Sequence, residues 1–249
     1  IISKKKNFFN VHVLAANKNY KLICHQIKQF KPDIFVVNDL KVLEKVKKKF
    51  KNNKIKLIND VNIKKKYFKK SDIVIAAIPG IAGLKPTVEF IKKSKKIVIA
   101  NKESIICGWS LIKKIATHYN TKIVPVDSEH FSIMKLLENQ KINNVKKIYL
   151  TASGGPFLNL NISKLKNVKP HEAIRHPKWK MGKKISIDSA SLMNKMLEVI
   201  EAHKIFSIDI EKFEIVIHPQ SLIHAIVEFE NGLYKFIYHE TSMVIPLAN

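Results

Sequence analysis

Cysteine is nearly absent from this chain: Cys24 and Cys107 are the only two, far apart in sequence. That scarcity argues against a disulfide framework and a cysteine-ligated zinc site, and it fits a reducing compartment. No run of 18 apolar residues occurs, so no membrane-spanning helix is expected. The first residues, IISKKKNFFNVHVL, have neither an apolar signal core with a cleavage site nor the Ser- and Arg-rich composition of a transit peptide. Without an organelle signal the expected location is a bacterial cytoplasm, with a plastid stroma after leader removal as the alternative. Internal repeats and low-complexity linkers are missing as well.

Acidic residues are also scarce: 20 stand against 45 basic ones, a net charge of +25. Residues 1–100 hold 25 lysines against six acids, so +19 of the charge lies there. Such an excess raises a polyanion, nucleic acid above all, as a partner. The lysine runs at 47–49 and 64–66, however, flank apolar segments without interleaved aromatics. We therefore read the charge as solvent-facing lysine and expect neither a nucleic acid nor a membrane partner.

What is present is enough for a real core. With 249 residues and 46% apolar side chains, one large or two ordinary domains are expected. Short β-rich runs recur: FFNVHVLAAN, DIFVVND, SDIVIAAIPG, KKIVIANKES and TKIVPVDSEH. Stretches of helical period, such as 20–30 and 40–50, lie between several of them. Apolar strands alternating with helices predict a parallel, Rossmann-like α/β sheet, whose ligands bind at the carboxyl ends of the strands. The strand exits AAN, AAIPG, ANKES and VDSEH should then line one crevice. After about residue 145 the texture becomes mixed α+β, with a strand and Gly turn in VKKIYLTASGGPF and a hairpin in IHAIVEFENGLYKFIYHE. Asn231-Gly232 suits a type I′ turn there. The boundary is expected near residue 125, dividing the chain into 1–125 and 126–249.

Three segments could carry chemistry. In VPVDSEH, Asp127 and Glu129 stand two apart at a strand exit and point the same way on an extended chain. With Glu198 they would offer three oxygen ligands, which suits Mg²⁺ or Mn²⁺, while His130 is left as a supporting or packed residue. In DSASLMNKMLEVIEAH, Asp188 or Ser189 is the expected N-cap of a helix reaching about His203. Helical spacing puts Ser191, Asn194, Lys195, Glu198 and Glu201 on one face. Taken alone that face suits an exposed amphipathic helix, but serines at a helix start with Asn and Lys one turn on also form an anion cradle. In HPKWKMG, large apolar groups on a polar segment suit a lid over a ligand, or a loop packed on the core.

Taken together, AAIPGIAGLKPTVEFIKKSKKIVIANKES, VPVDSEH, SGGPF, RHPKWKMGKKISIDSASLMNKMLEVIEAH and VIHPQSLIHAIVEF resemble, in order, the 1-deoxy-D-xylulose 5-phosphate reductoisomerases. These are NADPH- and metal-dependent enzymes of the non-mevalonate isoprenoid pathway. The resemblance implies a Rossmann-like NADPH-binding domain followed by a mixed α+β catalytic domain, and a homodimer. It implies Asp127, Glu129 and Glu198 as metal ligands, and Lys102, Glu129, His176 and Lys195 as catalytic residues. The phosphorylated substrate would meet Lys102, Ser128, Glu129, Ser153, His176, Ser189, Asn194, Lys195 and Glu198, with Trp179 and Met181 closing over it. NADPH would meet Lys18, Asn19, Asn101, Glu103 and Gly182, with Lys18 on the 2′-phosphate. The implied reaction rearranges the carbon skeleton of 1-deoxy-D-xylulose 5-phosphate with the metal as Lewis acid. Hydride transfer from NADPH to the resulting aldehyde then gives 2-C-methyl-D-erythritol 4-phosphate.

The sequence departs from the family pattern in three places. The family's opening GxTGxIG turn is missing, since the first of the seven glycines is Gly80. The family's helical C-terminal domain is missing after TSMVIPLAN, so a piece lacking both ends is expected. Asn17 replaces the usual Gly before Lys-Asn, and TSMV replaces an Asp-Met-basic stretch. The rival readings are another divalent-metal NADP oxidoreductase acting on a small hydroxy acid, and a basic nucleic-acid-binding protein.

Overall fold

The computed structural model describes the chain except residues 61–65, 176–177 and 180–181. Its strands are β1 Val13–Ala16, β2 Ile34–Val37, β3 Lys56–Ile58, β4 Ser71–Ala76, β5 Ser94–Ile99, β6 Lys122–Pro125, β7 Val145–Ala152, β8 Phe213–Ile217, β9 Ile223–Phe229 and β10 Tyr234–Tyr238. Its α-helices are α1 Tyr20–Phe30, α2 Leu40–Lys49, α3 Leu84–Ile91, α4 Lys102–His118, α5 Ser128–Leu136, α6 Ile162–Leu165, α7 Pro170–Ala173, α8 Lys183–Ala190, α9 Met193–Phe206 and α10 Val244–Ala248. The chain packs as two compact units. One comprises Ile1–Val74, Lys85–Ile97 and Ile115–Lys122; the other comprises Ile75–Leu84, Val98–Lys114 and Ile123–Asn249.

In the first unit β1, β2 and β3 run parallel in that order. All four residues of β2 are buried, because a parallel strand with both faces covered has no solvent side. Its alternation splits two cores. Phe35 and Val37 meet Ile23, Cys24 and Ile27 of α1 and Leu43 and Val46 of α2, while Ile34 and Val36 meet Phe68 on the other face. Both helices start at capping side chains: Asn19 Oδ1 accepts from Leu22 N at 3.1 Å, and Asp39 Oδ1 accepts from Val42 N at 2.9 Å. They lie within a residue of the stretches expected from periodicity. The three-residue β3 was not expected, since it is too short to show a period of two. A further three-stranded sheet has the order β4-β5-β6.

In the second unit a mixed sheet has the order β10-β9-β7-β8. β7 and β8 are parallel, and β7–β9 and β9–β10 antiparallel. One face, with Ile148, Leu150, Ala225 and Val227, packs on Ile133 and Leu136 of α5 and Val199 and Ala202 of α9. The hairpin forms as expected, but its turn is not type I′. Gly232 has φ +83°, whereas Asn231 is not left-handed. Gly232 N donates to Phe229 O at 2.9 Å and Leu233 N to Asn231 Oδ1 at 3.1 Å, so the Asn side chain closes the turn instead.

The expected single helix from Asp188 or Ser189 to His203 is corrected. Asp188 and Ser189 lie in the last turn of α8, and Leu192 at φ +59° breaks the chain before α9 begins at Met193. The serines therefore end one helix rather than start the next.

Candidate active site

β6 delivers the chain to Asp127, the N-cap residue of α5. The Asp127 carboxylate makes no cap bond to the backbone and pairs instead with Lys102 Nζ from the first turn of α4. The same ammonium donates to Glu198 Oε1 of α9 at 2.7 Å. Lys195, one turn before Glu198, donates to Glu129 Oε1 at 2.7 Å and lies 2.5 Å from Glu198 Oε2. Asn194 Nδ2 donates to Glu198 Oε1 at 2.5 Å, and Ser128 Oγ to Glu129 Oε2 at 2.6 Å. Asp127, Glu129, Glu198, Lys102 and Lys195 thus form one cluster. The Glu198 side chain is 2% exposed and that of Lys195 6%.

Two lysines among three carboxylates explain how so many charges stay buried, because each ion finds an opposite one. Burial opposes the charge on Lys195 and Lys102. It is outweighed for Lys195 by Glu129 and Glu198, and for Lys102 by Asp127 and Glu198 first, so both stay protonated above the ordinary lysine range. Burial likewise works against ionised Asp127, and Lys102 reverses that to hold it below its usual value.

Behind this cluster lies a fully buried pair that the sequence reading did not assign. His130 Nε2 donates to the Glu198 carbonyl at 2.9 Å, since a carbonyl can only accept. Its Nδ1 faces Glu201 Oε2 at 3.8 Å. Burial raises the Glu201 carboxyl above its usual range. The only signal for this in the sequence is that Glu201 shares the helical face of Glu198.

That face corrects the exposed-helix reading. Lys195, Glu198 and Glu201 are buried, while Met193 and Met196 are about half exposed. The polar side of α9 is buried too, beside the Val199 and Ala202 that pack on the sheet.

The oxygens of Asp127, Glu129 and Glu198 include one from each residue all within 4.8 Å of one another. Three hard donors suit a hard divalent cation. Glu198 Oε2 is buried against the Lys195 ammonium, and three carboxylates against two lysines leave negative charge for such a cation to offset. The residues fit the ion. Asp127, His130 and Glu201 form a second group within the same span.

The remaining expected residues are distributed as follows. Ser153 Oγ accepts from Gly155 N at 3.1 Å at the exit of β7, and a Cβ on Gly155 would sit 2.8 Å from Ser189 O. That close approach brings the two serine segments together. Asn101 Nδ2 donates to Ile78 O at 2.5 Å and Gly80 O at 2.9 Å, and its Oδ1 accepts from Ser104 N at 2.6 Å. It ties AAIPG to ANKES and starts α4. Glu103 faces Lys184 at 3.4 Å, and Gly182 is the exposed N-cap of α8. In the first unit Lys18 is exposed and Asn19 caps α1. Trp179 is half-buried with its ring 6.0 Å from that of His224, which stacks on His239 at 4.0 Å. His224 and His239 had no sequence signal beyond standing near the hairpin. His176 and Met181 lie outside the described residues.

The comparisons with known proteins converge. A family model for 1-deoxy-D-xylulose 5-phosphate reductoisomerase matches residues 1–108, and one for the C-terminal domain of the same enzyme matches residues 123–206. The reductoisomerase of Pelagibacter ubique is 50% identical over 252 residues, covering 100% of this chain and 65% of its own length. That of Thermodesulfovibrio yellowstonii is 44% identical with the same coverage. A crystal structure of a reductoisomerase with NADPH, fosmidomycin and magnesium superposes with a TM-score of 0.90 at 32% identity, covering 100% of this chain and 64% of that one. The Zymomonas mobilis enzyme with NADPH gives 0.87 at 34%, with 99% and 64% covered. The chain spans about 65% of the length of the curated relatives it matches. It belongs to the 1-deoxy-D-xylulose 5-phosphate reductoisomerase family.

Proposed function

We propose that this chain serves the NADPH- and divalent-metal-dependent conversion of 1-deoxy-D-xylulose 5-phosphate to 2-C-methyl-D-erythritol 4-phosphate. The observation that carries this reading is the buried cluster of Asp127, Glu129 and Glu198 held between Lys102 and Lys195. Asp127, Glu129 and Glu198 would hold Mg²⁺ or Mn²⁺, which when bound supplies Lewis-acid polarisation of the substrate's oxygens. Lys102 and Lys195, paired with these carboxylates, would neutralise charge developing on those oxygens. Ser128, Ser153, Ser189 and Asn194 offer hydroxyl and amide groups to the substrate, with His176 on the same assignment. Trp179, with Met181, would exclude water from the aldehyde stage. Lys18, Asn19, Asn101, Glu103 and Gly182 would meet NADPH.

The functional division would give residues 1–125 to NADPH and 126–249 to the metal and substrate, with Lys102 reaching the substrate and Gly182 the cofactor. The bacterial relatives and the two free cysteines support a bacterial cytoplasm. No helix among the described residues is long and apolar enough to cross a membrane. We assign no nucleic acid partner. A homodimer through the segment 213–240 is supported by the open sheet face there. A hydroxy-acid oxidoreductase would use the same acids but has no need for the phosphate contacts.

The test is NADPH consumption by the protein with 1-deoxy-D-xylulose 5-phosphate, with Mg²⁺ or Mn²⁺ and after chelation. Consumption that needs both the phosphorylated ketose and the cation is expected. Turnover that survives complete metal removal would overturn the reading.

A further inference from the structure

Four rings from separate parts of the second unit stand in an unbroken row. Phe131 of α5 meets His239, just past β10, edge to face at 6.0 Å and 66°. His239 stacks on His224 of β9 at 4.0 Å and 20°. His224 in turn meets Trp179, in the segment between α7 and α8, at 6.0 Å and 65°. Stacked and edge-to-face pairs are the arrangements that ring quadrupoles favour. The row starts on the helix that carries Glu129 and ends on Trp179. His239 links its two halves. The hydrogen bond of its side chain is local: a carbonyl only accepts, so Nδ1 donates to Glu240 O at 2.8 Å, on the adjacent residue. Its Nε2 is buried without a hydrogen bond among the described residues. A buried polar atom left unpaired is unfavourable, so it is the faces and edges of the ring, reaching α5 and β9, that give His239 its place. The same residue holds His224 a second time, since His224 Nε2 donates to the His239 carbonyl at 3.4 Å. Burial keeps the His224 imidazole below its ordinary value, so at neutral pH it stacks uncharged.

Resting on the reading of Trp179 as a cover over the substrate, we propose that His239 is a positioning residue for that cover. Its ring backs the His224 ring, and the pair forms the platform that sets Trp179 in place before substrate arrives. Substrate then meets a cover already positioned and does not have to select a sparsely populated arrangement. Because Phe131 and Glu129 share α5, the platform also fixes the cover relative to the carboxylate cluster.

The chain has two tryptophans, Trp109 and Trp179, so Trp109→Phe makes Trp179 the sole indole reporter. In that parent, acrylamide quenching of Trp179 is measured without ligand and during titration with 1-deoxy-D-xylulose 5-phosphate in Mg²⁺. Circular dichroism confirms the fold of each variant. His239→Asn can keep the hydrogen bond to Glu240 O but removes the ring, and His239→Leu fills the space without a ring. His239→Phe keeps a ring and loses the hydrogen bond. Both ringless variants should show stronger quenching of Trp179 without ligand. Their apparent affinity for the substrate should fall roughly fivefold, with parental shielding at saturation. His239→Phe should match the parent in both measurements. The reverse order, with His239→Phe impaired and His239→Asn parental, would assign the effect to the hydrogen bond and overturn the proposal. So would a folded ringless variant with parental quenching or parental affinity, which removes His239 and leaves the cover reading standing. A parent whose Trp179 is shielded no further by substrate and Mg²⁺ defeats the cover reading and the role of His239 with it.

Discussion

Glu198 accepts from Lys102 and Asn194 through Oε1, faces Lys195 through Oε2, and offers its backbone carbonyl to His130. Replacing it with Gln keeps the volume and leaves two lysines facing Asp127 and Glu129, a balanced set, so the fold should persist. The cation site would lose one of three carboxylates. Glu198→Gln should therefore weaken Mn²⁺ binding roughly 10–100-fold, by analogy with the loss of ligand-supporting groups, with turnover falling alongside. Calorimetry with Mn²⁺ and circular dichroism check the two halves, and unchanged cation affinity would remove Glu198 from the ligand set. A second residue-scale prediction concerns Glu228, which has no part in the cluster of carboxylates and lysines. Hydrogen bonds from Lys146 at 2.8 Å and Tyr149 at 2.7 Å lower its carboxyl from 4.5 to about 2. A depressed folded pKa contributes stability that is complete above the unfolded value and is lost as pH falls through the folded one. Wild type should thus exceed Glu228→Gln in stability at pH 6, and the gap should close between about pH 4.5 and about pH 2. Urea titrations at several pH values measure it, and a gap that stays constant across that window would refute the assignment.

At the scale of elements, the connections decide more than the helices and strands themselves. Gly155 has φ +71°, and a Cβ there would lie 2.8 Å from the Ser189 carbonyl oxygen, which is backbone and cannot swing aside. Gly232 has φ +83° with nothing within 4 Å of its Cβ position. Both positions penalise alanine for its left-handed backbone by about 1–3 kcal/mol. Only Gly155→Ala adds the clash between the β7 exit and α8. The Gly155 variant should therefore melt below the Gly232 variant, and it should also weaken substrate binding if Ser153 and Ser189 share the phosphate. Equal melting temperatures would show that the two segments part without cost. Helix α9 carries a related lesson. Its polar face, taken alone, suited an exposed amphipathic helix, yet Lys195, Glu198 and Glu201 are buried, because their partners on α4 and α5 make burial of charge tolerable.

For the whole molecule, the mixed sheet leaves one face open. Tyr234 and Phe236 are each 57% exposed and Tyr238 66%, all on one side of β10, with Val216 of β8 at 40%. A row of aromatics on a sheet face is costly to leave in water and suits a second copy of the chain. If the proposed homodimer uses it, Phe236→Lys should give a monomer in sedimentation equilibrium without loss of helix signal. A dimer of wild-type strength in that variant would place the interface elsewhere.

Much of this was legible along the chain because it is governed by neighbours. Short apolar runs gave β1, β2 and β7, helical period gave α1 and α2, and Asp127 and Glu129 were close enough in sequence to suggest a shared ligand. The Leu192 break and the exposed methionines of α9 were not, nor was the Asn231 side-chain closure of the hairpin turn. Asn101 is an example of the same limit, since its ties to Ile78 and Gly80 span 23 and 21 residues. The site itself depends on longer reaches: Lys102 meets Glu198 across 96 positions, His130 meets the Glu198 carbonyl across 68, and Lys195 meets Glu129 across 66. Propensity, capping and periodicity act within a turn or a strand, so the sequence alone determined β1, β2, β7, α1, α2 and the local carboxylate pair. Burying a charge is favourable only when its counter-ion arrives from another element, so the inward face of α9 and the choice of partners for each carboxylate were decided by the tertiary structure.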